Sequence, residues 1–392
     1  MEPMELLFKV MEGCIAAQPG AFRCAWADGA LCVEVWYDFS DKPLRLTAPA
    51  QIGDAARIVL LPYRIELYVN DGLCDEEWPC GNLLLQPEKL PETVCAQPYR
   101  PNEQPQPAVL RTFRGAQGWQ PEPSVFVGDC MPYACGGRYH VLYLKDRHRH
   151  TSKWGRGAHQ WAHISTADFE LWQEHPLAVE IDDPEEGSIC TGSHIERGGE
   201  QLLYYTVRTC DGSPAPIRRS VSRDGVHFEK DRSFFFTLSA RYTAASARDP
   251  KVVRAADGLY HMLVTTSLAA EGRGCLAHLT SPDLDAWTEQ EPLYVAPADG
   301  GEPECPDYVA YRGHYYLIFS LHGVGLYLLS DAPFSGFRAP RDPVIPCSSV
   351  PKCAPWQGEL IFAGFEGGGK YGGTLTFRTA RAGEDGELVF SD

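Results

Sequence analysis

The sequence predicts an all-β protein, a five-bladed β-propeller preceded by a small β-sandwich-like module. Two observations carry this prediction. Helical periodicity is nearly absent along the 392 residues, whereas short runs of alternating apolar and polar residues recur throughout. Five strand-like runs also follow a leading glycine, at successive spacings of 62, 59, 55 and 45 residues: Gly137, Gly199, Gly258, Gly313 and Gly358. A strand unit that repeats at this period is typical of propeller blades.

A second mark follows the first four of these strands. It is a serine-led turn that contains an aspartate and then an aromatic residue: STADFELW from Ser165, SRDGVHF from Ser222, SPDLDAW from Ser281 and SDAPFSGF from Ser330. Serine and aspartate side chains favour turns because they hydrogen-bond to nearby backbone groups. An ordinary β-sandwich with coincidental turns is the alternative, and the shared register of the marks favours the propeller.

Three segments are predicted along the chain. Residues 1–85 form the N-terminal β-module, because CVEVWYDF and RIELYVND alternate apolar and polar residues and the NDG that begins at Asn70 indicates a hairpin. Residues 86–118 form a linker, since the stretch from 86 to 107 holds six prolines, which exclude a helix and a central strand. Residues 119–392 form the propeller.

Charge and composition narrow the partners. The formal net charge of −17 argues against nucleic acid and against anionic membranes, and it favours a neutral or cationic small molecule. No stretch approaches the ~18 apolar residues of a membrane-spanning helix. The fourteen cysteines include no CxxC pair, and no export signal precedes them, so we interpret them as reduced thiols of a cytoplasmic protein.

Three carboxylates stand eight or nine residues before their leading glycines. Asp129 lies eight residues before Gly137, Asp249 nine before Gly258, and Glu304 nine before Gly313. Each acid alone would be read as a turn or capping residue. Equal offsets in a repeat fold imply equivalent positions in different blades, so we expect the three side chains to converge at the propeller axis, in loops at the mouths of the strands.

Carboxylates that converge repel each other, so a function is needed to explain why the chain would bring three of them together. One reason is a metal, but no ligand cluster with zinc spacing is present. His159 and His163 lie four apart within a strand-like pattern rather than a helix. The other reason is glycosidic bond cleavage, which uses one carboxylic acid and one carboxylate on opposite sides of the bond. The sequence therefore predicts a small carbohydrate as substrate, with no metal and no cofactor.

Two motifs resemble glycoside hydrolase family 32, the β-fructosidases. RDPKV from Arg248 and ECPD from Glu304 are similar to the Arg-Asp-Pro and Glu-Cys motifs of that family. YHVLYL, WAHISTADFELW, CTGSHI and SRDGVHFEK follow in the family's order, and the likeness covers roughly residues 120–330. The resemblance implies a five-bladed propeller and a retaining β-fructofuranosidase-like activity. It also implies that Asp129 is the nucleophile, that Glu304 is the acid/base, and that Asp249 with Arg248 grips the furanose.

Three further residues are assigned to substrate binding. By resemblance Thr191 belongs to a motif that holds fructose. Trp161 is expected to form a wall or floor of the pocket, because aromatic faces stack on sugars, although a core tryptophan is the alternative. Cys305 directly follows Glu304, and a small apolar spacer is its alternative interpretation.

The chain also departs from the family pattern. The segment from Val127 to Pro132 lacks the asparagine that precedes the family's nucleophile and the Pro-Asn-Gly that follows it, and Leu144 replaces a glutamine. These departures leave the exact furanoside open, as well as hydrolase against transferase activity and the oligomeric state. Two alternatives also stay open, an inverting family 43-like arabinofuranosidase or xylosidase and a non-catalytic sugar-binding propeller. The basic stretch from Lys145 to Arg156 is either a solvated loop or a site for an anionic leaving group.

Overall fold

A computed structural model of the protein describes residues 2–38, 42–101, 106–147, 149, 158–298 and 300–391. Within these ranges the chain is all-β, as predicted, and its helical elements are two short 3₁₀ helices, Pro87–Lys89 and Ala244–Ser246. None of the helices in the described ranges is long and apolar enough to cross a membrane. The chain divides into two compact units, one built mainly from Met1–Pro105 and the other from Gln106 onward.

The first unit has two antiparallel sheets that share one hydrophobic core. In spatial order the first sheet is β8–β7–β6–β1–β9 and the second is β2–β3–β4–β5, and both contribute buried residues such as Leu6, Leu31, Leu46 and Ile58 to the core. The strands are β1 (Met4–Lys9), β2 (Gly13–Gln18), β3 (Phe22–Ala27), β4 (Ala30–Val35), β5 (Leu44–Pro49), β6 (Ala55–Leu60), β7 (Ile65–Val69), β8 (Gly72–Glu77) and β9 (Cys95–Pro98).

From Gln106 onward the chain forms five further sheets, each built almost entirely from consecutive strands. The strands of the first two sheets are β10 (Arg111–Arg114), β11 (Val125–Cys135), β12 (Arg138–Arg147), β13 (Gln160–Thr166), β14 (Leu171–Val179), β15 (Glu186–Arg197), β16 (Glu200–Thr209), β17 (Ile217–Ser222) and β18 (Glu229–Phe236). Sheet I has the order β10–β14–β13–β12–β11, and sheet II the order β15–β16–β17–β18.

The remaining strands form sheets III to V. They are β19 (Arg248–Arg254), β20 (Tyr260–Leu268), β21 (Arg273–Ser281), β22 (Thr288–Glu289), β23 (Tyr294–Val295), β24 (Glu304–Tyr311), β25 (His314–Leu321), β26 (Val324–Ser330), β27 (Lys352–Trp356), β28 (Glu359–Glu366), β29 (Thr374–Ala382) and β30 (Leu388–Ser391). Sheet III is β19–β20–β21–β22 with β23 also paired to β21, sheet IV is β24–β25–β26, and sheet V is β27–β28–β29–β30.

The glycine-led strands are confirmed as β12, β16, β20, β25 and β28, one in each of these five sheets. Each leading glycine has a positive φ, between 74° at Gly137 and 88° at Gly199. Glycine adopts this left-handed conformation without the steric cost of a Cβ, so it closes the hairpin between the first and second strand of each sheet.

Successive sheets of this unit pack against each other in a cyclic order. One buried cluster joins sheets II and III, a second joins sheets III and IV, and a third joins sheets IV and V. A fourth cluster joins sheet V back to sheet I, with Tyr139 and Val141 on one side and Ala363 and Leu375 on the other. Trp161 of sheet I meets Tyr205 of sheet II edge to face. In the same unit β19 contacts β24, β24 contacts β27 and β27 contacts β11, so these four strands lie innermost.

The segment predicted as a linker carries short edge strands. β9 pairs only with β1 among the described strands, and β10 pairs only with β14. Both are four residues long, and proline-rich chain is tolerated at such edges because it needs fewer ladder hydrogen bonds. The boundaries at 85 and 118 stay predictions.

The cysteines differ in part from the interpretation above. Twelve of the fourteen, all within the described ranges, are free thiols. Cys80 and Cys210 are disulfide-bonded, so the expectation of reduced thiols was wrong for these two.

Buried histidines make the second unit sensitive to acid. His140 Nδ1 lies 3.0 Å from His163 Nε2, and His261 Nδ1 lies 2.8 Å from His278 Nε2. Burial lowers the pKa of His140 to about 3 and that of His278 to about 4, from an ordinary value of 6.5. It also lowers the pKa of His194 to about 4. The rings of His140, His194 and His278 are therefore neutral in the folded protein at neutral pH.

We expect the protein to lose stability as the pH falls below 6.5, because the unfolded chain then binds protons that the buried rings do not accept. Each such histidine lowers the free energy of unfolding by up to about 1.4 kcal/mol per pH unit until its folded pKa is reached. Thermal unfolding at about pH 7.5 and about pH 5 measures the effect, and a melting temperature several degrees lower at the acid pH is expected. An unchanged melting temperature would contradict it.

Candidate active site

The three predicted acids occupy equivalent positions on the innermost strands. Asp129 lies on β11, Asp249 on β19 and Glu304 at the start of β24. In each strand the pairing register shifts at the acid, between Val127 and Cys130, Arg248 and Lys251, and Glu304 and Asp307. Such β-bulges redirect a side chain out of the regular alternation. The expectation of loop acids was wrong, because the acids lie within strands, and the bulges explain how they still leave the sheet.

The bulges also impose a strained backbone. Asp249 has φ +58° and Cys305 has φ +51°, in the left-handed region that residues with a Cβ rarely adopt. Each such residue costs of order 1–2 kcal/mol, and strain of this kind concentrates at functional sites. The strained backbone therefore indicates that the directions of the Asp249 and Cys305 side chains matter for the function of the site.

Cys305 brings Asp129 and Asp249 together. Its thiol Sγ lies 3.4 Å from Oδ2 of Asp129 and 3.5 Å from Oδ2 of Asp249, and its backbone N–H donates to the same Asp249 oxygen at 3.1 Å. Cys305 is 1% exposed, and Asp129 and Asp249 are 2% and 4% exposed. The cysteine assigned to substrate binding is therefore a buried partner of the two acids.

Thr191 completes the set of contacts around Asp249. Its hydroxyl donates to Oδ1 of Asp249 at 2.6 Å, while the Cys305 N–H binds Oδ2. Hydrogen bonds to both oxygens favour a fixed, ionised carboxylate. On the other side, the Asp129 backbone N–H donates to the Tyr371 hydroxyl at 3.4 Å.

Arg248 links Glu304 to this group. Its Nη2 donates to Oε1 of Glu304 at 3.0 Å, and its Nε lies 3.6 Å from Oδ2 of Asp249. The Nη1 atom pairs with Glu302. Burial opposes the charge of Arg248, but the three carboxylates outweigh it and hold the pKa of Arg248 above its ordinary value. The Glu304 side chain is 27% exposed, so it is the most accessible of the three predicted acids.

A small cavity, with room for about one water molecule, lies beside these residues. Four of the predicted residues line it together with six others: Asp129, Thr191, Arg248 and Asp249, then Leu144, His159, Ser188, Ile189, Cys190 and Arg208. His159 is buried, and its Nε2 lies 3.0 Å from Oδ1 of the buried Asp146.

Sequence reasoning missed Arg208 and set His159 aside. Arg208 lies nine residues after Gly199, near the end of β16. In an antiparallel pair the end of the second strand lies beside the start of the first. Counting about nine residues forward from a leading glycine, as well as backward, would therefore have identified Arg208.

Trp161 does not face the cavity. It is completely buried, and its indole N–H donates to the Cys190 carbonyl at 2.9 Å. A Cβ on Gly192 would lie 2.9 Å from the Trp161 ring and 1.8 Å from the Tyr204 carbonyl oxygen, so glycine is required there. The expectation that Trp161 stacks on a sugar was wrong. This tryptophan is a core residue that contacts the site through its hydrogen bond to Cys190, which lines the cavity.

The basic stretch is described only in part. Arg147 is buried, with Nη1 3.3 Å from the Ser124 hydroxyl and Nη2 3.9 Å from the Glu122 carboxylate. The guanidinium of Arg149 stacks 4.3 Å over the Phe126 ring. Residues 148 and 150–157 lie outside the described ranges. Arg147 is thus a packed residue, whereas the interpretation of the remaining basic residues stays a prediction.

Comparison with known proteins agrees with this arrangement. The family model for the glycosyl hydrolases family 32 N-terminal domain matches residues 113–333, more than half of the chain. The sucrose-6-phosphate hydrolase of Escherichia coli is 30% identical over 218 residues, which are 53% of this chain and 42% of that protein. The matched region thus spans less than half of the length of that protein.

Solved structures show the same fold at low identity. Fructan 1-exohydrolase IIa from Cichorium intybus superposes with a TM-score of 0.59 at 18% identity, covering 71% of this chain and 60% of that one. A β-xylosidase superposes with a TM-score of 0.53 at 14% identity, covering 68% of this chain and 96% of that one. The fold is therefore shared across enzymes with different names, and the sequence match decides the family. The chain belongs to glycosyl hydrolase family 32.

Proposed function

We propose that the chain is a retaining glycoside hydrolase that cleaves a β-fructofuranoside, or a related furanoside, in a short oligosaccharide. The observation that carries the proposal is the convergence of Asp129, Asp249 and Glu304 from three equivalent bulges, joined by Cys305 and Arg248. Membership of family 32 and the similarity to a sucrose-6-phosphate hydrolase support the substrate class.

In the first step Asp129 attacks the anomeric carbon while Glu304 donates its proton to the leaving oxygen. The glycosidic bond breaks, and an ester bond forms between the sugar and Asp129. Glu304, now ionised, then takes a proton from water, whose oxygen attacks the anomeric carbon and releases Asp129. The proton and charge on each carboxylate are restored at the end of the cycle.

Asp249 has a different role because both of its oxygens are already hydrogen-bonded in the described structure. A carboxylate held in this way keeps its charge and position, so it stabilises positive charge that develops on the furanose ring in the transition state. Arg248 fixes Glu304 and Asp249 relative to each other.

The finer architecture is part of the same proposal. We infer that sheets I to V form a five-bladed propeller, which their cyclic packing supports, and that the two sheets of the first unit form a β-sandwich-like module. The proposed boundaries are 1–85, 86–118 and 119–392. A cytoplasmic location is part of the proposal; the twelve free thiols favour it, and the disulfide-bonded Cys80 and Cys210 do not.

Two observations favour other functions. The similarity of the fold to a β-xylosidase leaves an arabinofuranosidase or xylosidase, proposed as inverting, as the alternative. A separation of about 5–6 Å between the Asp129 and Glu304 carboxyls is expected for the retaining mechanism, against about 6.5–9.5 Å for inversion. The altered residues around Asp129 favour a sugar-binding protein without catalysis, but such a protein would not need all three acids.

A substrate screen tests the proposal. The purified protein is incubated with sucrose, sucrose 6-phosphate, inulin- and levan-type oligosaccharides and nitrophenyl furanosides. Release of fructose from at least one fructoside is expected, without added metal and in the presence of a chelator. Cleavage of nitrophenyl arabinofuranoside or xyloside alone would support the inverting alternative, and binding without cleavage would support the non-catalytic one.

A further inference from the structure

Glu302 shares a single cation with the proposed acid/base. The guanidinium of Arg248, 7% exposed, pairs through Nη1 with Glu302 and through Nη2 with Glu304. Glu302 and Glu304 are two residues apart, and both side chains reach the same guanidinium. Neither the motifs nor the family resemblance identified Glu302.

The position of Glu302 is fixed from several directions. The Ser267 hydroxyl donates to its Oε1 at 2.6 Å, and the Thr265 hydroxyl donates to the carbonyl of the intervening Pro303 at 2.7 Å. The carbonyl oxygen of Gly301 lies 1.9 Å from where a Cβ on Gly274 would stand, so the segment lies directly on β21. The Ser267 hydroxyl and Arg248 therefore hold the Glu302 carboxylate in one orientation.

Glu302 is also ionised. Burial raises its pKa, but the charge of Arg248 and the hydrogen bond from Ser267 outweigh burial, so the pKa of Glu302 lies below its ordinary value. The surrounding titratable and charged groups, on its own segment and on the packed elements, are Arg248, Asp249, Cys275, Glu304, Cys305, His322 and, through Cys305, Asp129.

A general acid must hold its proton until the leaving oxygen takes it. An arginine within hydrogen-bond distance works against this, because its charge favours the ionised carboxylate. A second carboxylate on the same guanidinium offsets part of that charge. Glu302 stands in this position, on the Nη1 atom that also donates to the Ser246 carbonyl at 3.0 Å.

We propose that Glu302 is a positioning residue that, through Arg248, offsets the positive charge beside Glu304 and so sets the alkaline limit of activity. The proposal rests on the proposed function, in which Glu304 is the acid/base. It assigns to this chain a residue that sets the pH range of activity without touching the substrate.

The test is the pH profile of kcat/KM for Glu302→Gln, which keeps the shape of the side chain and removes its charge. The alkaline limb is expected to move to lower pH by on the order of one unit, because the charge of Glu302 no longer offsets that of Arg248 beside Glu304. Glu302→Asp keeps the charge, so its alkaline limb is expected to lie close to that of the wild type. Glu291→Gln is the matched control, since Glu291 is a surface residue paired with Arg241.

An alkaline limb that stays in place, moves to higher pH, or shifts equally in Glu291→Gln would overturn the proposal. So would a loss of activity by the same factor at every pH, because that is the result of a structural role alone. Crystal structures of Glu302→Gln give a readout without activity. Arg248 is expected to stay paired with Glu304 through Nη2 while Nη1 keeps the Ser246 carbonyl, and loss of the Arg248–Glu304 pair would contradict the proposal. Failure of the proposed function is separate, since it appears as a wild-type protein that cleaves no furanoside.

Discussion

Asp129→Asn is expected to lower kcat/KM by on the order of 10⁴-fold or more on every furanoside that the protein cleaves, whatever the leaving group. The amide keeps the shape of the side chain but is a poor nucleophile, so the ester between the sugar and residue 129 does not form. Initial rates with sucrose and with a nitrophenyl furanoside measure the effect.

The fold must survive this change for the result to be informative. Asn fits the space of Asp129, and the backbone N–H of residue 129 keeps its contact with the Tyr371 hydroxyl. Thermal unfolding of Asp129→Asn and of wild type provides the control. A folded Asp129→Asn protein that retains a tenth of wild-type activity on both substrates would exclude Asp129 as nucleophile.

Glu304→Gln is expected to have an effect that depends on the leaving group. A sugar leaving group needs a proton, so cleavage should slow by on the order of 10²–10⁴-fold, the usual contribution of general acid catalysis. Nitrophenolate leaves with little help, so the first step with a nitrophenyl furanoside should slow much less. Single-turnover rates of bond cleavage measure this step directly.

Equal slowing for both leaving groups would show that Glu304 is not the acid. Asp307→Asn is not a suitable control, because Asp307 is buried in an ion pair with Lys251 at 2.6 Å. Glu291→Gln removes a surface carboxylate and should leave both rates unchanged.

The repeat made most of the second unit predictable. A glycine with positive φ is needed at each hairpin, and alternating strands follow it, so the five second strands could be located from the sequence. The acids were also found, because a fixed offset from these glycines places them on equivalent bulges.

Trp161 could not be placed in the same way. Every residue of β13 is buried, so the alternation that tells the two faces of a strand apart is lost. The direction of the tryptophan depends instead on Gly192 and Tyr204 of the neighbouring sheet. Glu302 was missed because its role arises only when Arg248 of β19 reaches the segment before β24.

The central claim is that Asp129 attacks the sugar while Glu304 donates a proton. Its most direct test is mass spectrometry of Glu304→Gln after rapid quenching with a nitrophenyl furanoside. The variant forms the ester but lacks the base that activates water, so the intermediate is expected to accumulate as one glycosyl unit attached to the peptide that contains Asp129. Nitrophenol release without an adduct, or an adduct on another residue, would contradict the account.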